Sequence, residues 1–318
     1  MSDLVTFGET MLRLSPPDDE RLETTRSFDC RAAGSESNAA VAAERLGAVA
    51  TWMTKLPDSP LGRRIASELR GYGVDCDVTW TDEDARVGTY YMEHGGKPRG
   101  TNVVYDVEDT ALSRASADEF DVDAIRDARA FYTTGITPAL SDPLRETTAN
   151  LLGVARKAGT TTALDVNYRS KLWAASTARS VLTKLFPAID VLVIAERDAD
   201  RVFDIDGDGP EVAHGIASRF DFETVVITQG ARGAVAWHDN VVHDADVYEA
   251  DTVDPIGGGD AFAGAFLARR LSGDDVPRAL EYATATASLK RTIPGDVATV
   301  TREEVEGVIG DKIDRVSR

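Results

Sequence analysis

Three consecutive glycines and an acid stand together in Asp254-Pro255-Ile256-Gly257-Gly258-Gly259-Asp260. The run leads into Ala261-Phe262-Ala263-Gly264-Ala265-Phe266-Leu267-Ala268, apolar and long enough for a buried helix. Glycines let the backbone turn without Cβ clashes, so successive N–H groups can point into one small volume. A helix starting there adds unpaired N–H groups and the positive end of its dipole, which together make a site for phosphate. An Asp in the same turn repels an anion. The conflict resolves if Asp260 faces a hydroxyl and takes its proton while the amides hold a transferring phosphoryl group. The plainer reading of the same residues is a glycine turn with Asp260 as helix N-cap. No G-x-G-x-x-G follows a first strand, so this is not a dinucleotide fingerprint.

Four further groups of residues invite chemistry. Gly34 opens a small-residue turn, Ala33-Gly34-Ser35-Glu36-Ser37-Asn38, in which Asn38 offers both donor and acceptor to hydroxyls and Ser35 or Ser37 equally suits a helix cap. Asp165-Val166-Asn167-Tyr168-Arg169-Ser170-Lys171-Leu172-Trp173 follows a strand, at the strand end where α/β sheets place ligands. The Arg169 guanidinium suits phosphate or carboxylate in charge and fork geometry, or a plain surface pair with Asp. Thr228-Gln229-Gly230-Ala231-Arg232-Gly233 admits phosphate or ribose against its backbone, and is also an ordinary turn; Pro294-Gly295-Asp296 closes a helix. His94, His214, His238 and His243 sit in no base-plus-nucleophile or H-E-x-x-H setting.

These groups fall between short β-rich runs, 4–7, 51–55, 130–133, 161–166, 191–194 and 224–228, separated by stretches with helical periodicity at 37–46, 61–72, 142–158, 177–186 and 211–220. Strand–helix alternation of this kind predicts a mostly parallel sheet covered on both faces and joined by right-handed crossovers. Two stretches break the rhythm, about 11–31 and 74–105, with alternating pairs Leu12/Leu14, Val78/Trp80, Val87/Tyr90/Met92 and Val103/Tyr105, and with Pro16-Pro17 and Gly95-Gly96 as punctuation. They read as a small antiparallel sheet built from two insertions on one domain spanning 1–318.

The 318 residues, 42% hydrophobic and 28% charged, suit one large soluble α/β domain. No apolar run approaches the ~18 residues of a membrane span, and no signal segment precedes Leu4, so a cytoplasmic location is expected. Cys30 and Cys76 lack metal or disulfide spacing. A net charge of −19 argues against nucleic acid and anionic membranes as partners. With only seven lysines, the acidic surface resembles that of proteins from a salt-loaded, halophilic cytoplasm.

Asp254-x-x-Gly257-x-Gly259-Asp260 resembles the D-T-x-G-A-G-D signature of the ribokinase/PfkB sugar kinases, with Pro255 for Thr and Gly258 for Ala. The likeness runs in motif order from Gly8-Glu9 to Gly295. Residues 33–38 resemble the sugar-binding G-G-x-x-x-N, 165–173 the D-x-N-x-R-x-x-L-W of 2-keto-3-deoxygluconate (KDG) kinases and fructokinases, and 228–233 the nucleotide loop T-x-G-x-x-G.

The resemblance implies a three-layer α/β/α domain whose small β-sheet is a lid over the sugar and, in some relatives, a dimer surface. It implies ATP-dependent phosphorylation of a primary hydroxyl with Mg²⁺, and in some relatives K⁺ near the anion hole. Asp260 would be the base, and the amides of Gly257, Gly258, Gly259 and Asp260 would hold the phosphoryl oxygens. Arg169 would supply charge. Gly34, Asn38, Tyr90, Tyr105, Arg169 and Asp296 would surround the sugar, while Asn167, Thr228, Gly230 and Gly233 would meet the nucleotide.

Two departures stand out. Ala195-Glu196-Arg197-Asp198 replaces an N-x-x-E linked to Mg²⁺, which leaves the metal ligands unassigned. Val107 replaces an Arg that holds the sugar acid's carboxylate in KDG kinases, a task left to Arg99 or Arg169. KDG kinase is the expected activity, fructokinase the alternative, and a non-catalytic sugar- or nucleotide-binding regulator the reading from another class.

Overall fold

The computed structural model describes residues 1–82, 84–95 and 98–316. Gly96, half of the Gly95-Gly96 pair, and Lys97 lie outside the described residues. The strands are β1 (Leu4–Phe7), β2 (Met11–Ser15), β3 (Asp29–Ala33), β4 (Ala50–Pro57), β5 (Asp75–Thr81), β6 (Thr89–Glu93), β7 (Asn102–Asp106), β8 (Ala130–Thr134), β9 (Thr161–Asp165), β10 (Val191–Ala195), β11 (Thr224–Thr228), β12 (Ala234–His238) and β13 (Val241–Ala245). The helices are α1 (Ser35–Arg45), α2 (Pro60–Gly71), α3 (Val122–Arg126), α4 (Asp142–Ala158), α5 (Ala175–Leu185), α6 (Glu196–Phe203), α7 (Gly209–Arg219), α8 (Gly258–Leu271), α9 (Val276–Lys290) and α10 (Arg302–Val316).

The large sheet has the order β13-β12-β11-β10-β9-β8-β1-β4-β5, parallel from β11 to β5 with β12 and β13 antiparallel at one edge. Its central strands are apolar on both faces because both are covered. Successive residues go to opposite sides: Leu4, Trp52, Val193 and Val226 pack with α1, α2, α8, α9 and α10, while Val5, Met53, Leu192 and Val225 pack with α3–α7. Helix ends follow local chemistry. Ser59 and Ser141 cap α2 and α4 ahead of prolines, and Gly159, at φ 80°, stops α4 in the left-handed region. No helix among the described residues is long and apolar enough to cross a membrane.

Strand order reverses between β1 and β8, so a crevice opens beyond their carboxyl ends, the place where such sheets bind ligands. The small sheet, β3-β2-β6-β7, stands over that crevice. It departs from the expected all-antiparallel arrangement, since β2 and β6 run parallel between two antiparallel pairs. The reason is that β1 and β5 leave the large sheet in the same direction and feed β2 and β6. The second insertion is also shorter than 74–105. Val78 and Trp80 belong to β5, the parallel edge strand of the large sheet, so the lid takes from this stretch only β6 and β7.

Candidate active site

Helix α8 begins at Gly257, whose φ of 77° is open to glycine and whose added Cβ would lie 1.8 Å from the Asp296 carbonyl oxygen. No side chain caps this end, so its first N–H groups remain free and Asp260 sits in the first turn. Gly264, one turn on, brings α8 against α1: a Cβ there would lie 2.1 Å from the Ala39 carbonyl oxygen. That close approach puts α1 side chains on the acid. Ser35 Oγ donates to Asp260 Oδ1 at 2.5 Å and Asn38 Nδ2 to Oδ2 at 2.8 Å. Asn167 Nδ2, at the end of β9, reaches Ser35 Oγ at 2.6 Å and Asp260 Oδ1 at 3.4 Å.

Burial raises the Asp260 pKa against these hydrogen bonds and the charge of Arg169. Asp165 is raised as well, by burial first and by the charge of Asp260 second. A carboxylate whose proton affinity is raised, with a fixed orientation, has the properties of a general base.

The first cavity, about 580 Å³, is lined by Gly34, Asn38, Tyr90, Tyr105, Asn167, Arg169, Gly257, Gly259, Asp260 and Asp296, among others. The residues expected at the sugar thus line one cavity. Asn167, expected near the nucleotide phosphates, lines this cavity beside Ser35 and Asp260, next to the start of α8. Tyr90 OH donates to Asp296 Oδ2, and burial followed by the Asp296 charge holds the phenol well above its ordinary pKa. A second cavity, about 620 Å³, is lined by Thr228, Gly230, Gly233, Gly258, Gly259, Phe262 and Thr284, among others. Gly259 and Pro255 border both. The free amides at the start of α8 thus stand between two cavities, one lined by acids, the other by glycines and by Arg197, Arg232 and Arg291.

Asp198, on α6 at the first cavity, is buried, and its one ion pair among the described residues is to Arg197 at 3.5 Å. Burial raises its pKa despite the nearby Arg197 and Arg169 charges. No group of three or more His, Cys, Asp or Glu among the described residues is arranged to hold a metal. Asp198 and Asp165 are the carboxylates at this cavity that would hold a Mg²⁺ together with phosphate oxygens, the usual mode for this ion.

The residues matched by the pfkB family carbohydrate kinase profile are 1–302. The chain belongs to this family. The kinase is 59% identical over 308 residues to a 2-dehydro-3-deoxygalactonokinase of Haloferax volcanii, covering 97% of this chain and 96% of that one. It is 33% identical over 299 residues to a 2-dehydro-3-deoxygluconokinase of Thermoproteus tenax, covering 93% and 90%. Among solved structures, a 2-dehydro-3-deoxygluconokinase of Thermotoga maritima superposes with a TM-score of 0.92 at 36% identity, over 98% of this chain and 100% of the other. The fold is ribokinase-like, and the protein is an ATP-dependent carbohydrate kinase.

Sequence reasoning missed the ion network beneath the kinase's lid. Arg13, on β2, is buried, and its guanidinium bonds to Asp296 Oδ1, to Asp254 Oδ2 at 2.8 Å, to Ser15 Oγ at 2.9 Å and to His94 Nε2 at 2.7 Å. Asp254 in turn accepts from the N–H groups of Ile256 and Gly295, each at 3.1 Å. Burial works to raise the Asp254 pKa, but His94, Arg13 and the Ile256 amide outweigh it and hold the carboxyl well below the usual range. The network ties the lid to both the glycine turn and the Pro294–Asp296 turn. The signal available was a lone arginine between Leu12 and Leu14, on the opposite face of an otherwise apolar strand.

Val107 packs beside Met11, Ala33, Tyr90 and Met92 under the lid. Arg99 turns to Glu93 at 3.7 Å and to the Asp19 carbonyl at 3.1 Å, so in this structure it is committed elsewhere.

Proposed function

We propose that this kinase phosphorylates the primary hydroxyl of a 2-keto-3-deoxyaldonate, 2-dehydro-3-deoxygalactonate or its C4 epimer KDG. The observation that carries the reading is the placement of Asp260 and the free α8 amides between a hydroxyl-binding cavity and a glycine-lined one. The names of the similar proteins support the sugar-acid class, and the 59% identity to the Haloferax enzyme widens the expected substrate from KDG to the galactonate epimer.

In the proposed reaction Asp260, oriented by Ser35 and Asn38, takes the proton of the attacking hydroxyl. The N–H groups of Gly258, Gly259 and Asp260 receive the transferring phosphoryl oxygens, and Arg169 adds positive charge. ATP occupies the cavity bordered by Thr228, Gly230 and Gly233. Bound with it, Mg²⁺ would supply charge neutralisation to the phosphates beside Asp198 and Asp165. Tyr90, Tyr105 and Asp296 orient the sugar, and the lid carrying the two tyrosines excludes water that would otherwise accept the phosphoryl group.

A second reading, fructokinase, is favoured by one observation: Val107 gives the lid an apolar side chain where a sugar acid gains from a cation. ADP release measured with 2-dehydro-3-deoxygalactonate, KDG, fructose, ribose and adenosine separates the two. Turnover with the keto acids in large excess over fructose supports the proposal. The reverse order makes the enzyme a fructokinase.

A further inference from the structure

The sugar-side cavity holds four carboxylates, Asp165, Asp198, Asp260 and Asp296. A sugar acid brings a fifth, and it needs a cation that these acids have not already taken. Three cationic side chains line the cavity: Arg169, Lys171 and Arg197. Arg197 is paired with Asp198 at 3.5 Å and borders the nucleotide side as well. Arg169 acts electrostatically on Asp165, Asp198 and Asp260, and on the Tyr105 phenol as well, so its charge is already shared among groups of the site. Lys171 differs from both. It makes no ion pair among the described residues, and its Nζ donates only to neutral oxygens of the lid strand β7, the Val103 carbonyl and Asn102 Oδ1 at 3.3 Å. An ammonium has three protons, so one donor and the whole charge remain available. A six-carbon chain with its terminal hydroxyl on Asp260 carries its carboxylate at the opposite end, and Lys171 lines the same cavity, bonded to Val103 of the lid.

We propose that Lys171 holds the carboxylate of the sugar acid and thereby sets the enzyme's preference for an acid over a neutral sugar. The proposal rests on the keto-acid reading of the preceding subsection. Through its bonds to β7, Lys171 also brings the lid to the substrate when the acid is present, so charge recognition and lid position share one side chain.

The test compares the sugar acid with its C1 amide, which has the same shape without the charge. KM and kcat are measured for both in wild type, Lys171→Met and Lys171→Arg. Wild type is expected to favour the acid by about 10- to 100-fold in kcat/KM, the range of a hydrogen bond between charged groups. Lys171→Met raises KM for the acid by that factor and erases the preference, and Lys171→Arg largely restores it. Equal increases in KM for acid and amide in Lys171→Met mean that Lys171 only ties the lid, and they overturn the proposal. An unchanged acid KM in Lys171→Met overturns it too, with the keto-acid function intact. Wild type that turns over fructose but neither keto acid overturns the function and, with it, the role of Lys171. Unfolding midpoints of the variants, expected within a few degrees of wild type because Lys171 is exposed, separate a binding loss from a folding loss.

Discussion

The approach of α8 to α1 at Gly264 gives a prediction whose size follows from geometry. In Gly264→Ala the new Cβ would lie 2.1 Å from the Ala39 carbonyl oxygen, about 1.3 Å short of the 3.4 Å at which ordinary contact begins. The obstacle is backbone, so the helices themselves must part. A displacement of that size along the bonds takes the 2.5 and 2.8 Å contacts from Ser35 and Asn38 to Asp260 beyond the ~3.5 Å limit of a hydrogen bond. Overpacking costs about 1–3 kcal/mol of stability, and a ~1 Å misplacement of the base costs about 10²-fold in rate. Urea unfolding and ADP release measure the two effects separately. The control is Gly153→Ala on α4, where an added Cβ meets nothing within 4 Å. There alanine's helix preference should stabilise by about 0.4–1 kcal/mol with kcat unchanged. A Gly264→Ala enzyme with wild-type kcat and an unmoved unfolding midpoint would refute the claim that this helix contact positions the base.

Two more outcomes follow. Burial raises the Glu36 pKa from 4.5 to about 7. The folded state therefore holds this proton more tightly than the unfolded one, and its stabilising contribution, complete below pH 4.5, fades as pH rises through 7. Glu36→Gln keeps the Oε1 that accepts from Thr134 and Thr137, so its stability should gain on wild type by about 1–3 kcal/mol between pH 5 and 8. Parallel pH profiles would contradict the assignment. The charge of −19 predicts that the unfolding midpoint rises from about 0.1 to 3 M KCl as carboxylate repulsion is screened. A flat profile speaks against salt adaptation, and kcat in KCl against NaCl at equal strength shows whether K⁺ itself activates.

Much of this structure was legible in the chain. Buried parallel strands such as Val191–Ala195 are apolar on both faces and bounded by polar turns, so they stand out even without alternation. The glycine turn became legible through its resemblance to the family signature, since the glycines alone equally suit an ordinary capped turn. The failures have physical causes. Strand β5 alternates because it is the edge of the large sheet, with Asp75, Asp77 and Thr79 on one face and Cys76, Val78 and Trp80 on the other, and so it looks like a lid strand. The β12–β13 hairpin went unread although Asp239 and Asn240, at φ 49° and 61°, form the kind of left-handed turn that joins such strands. Arg13 meets Asp254 and Asp296 across 241 and 283 residues, a pairing that no local pattern encodes. The motif around Asn167 did not show that its side chain would reach Ser35 and Asp260, on other elements of the chain.

The proposed reaction depends on Asp260 as the base of phosphoryl transfer, held between the two cavities. Single-turnover transfer from labelled ATP to 2-dehydro-3-deoxygalactonate, run on Asp260→Asn beside calorimetric binding of both substrates, tests it most directly. Asn keeps the shape of the side chain; its Oδ1 can accept from Asn38 Nδ2 while its Nδ2 donates to Ser35 Oγ, so both ligands should bind with affinities near those of wild type. The transfer step should slow by about 10²–10⁴-fold, the contribution of one general base. Transfer at the wild-type rate, with binding intact, would contradict the account.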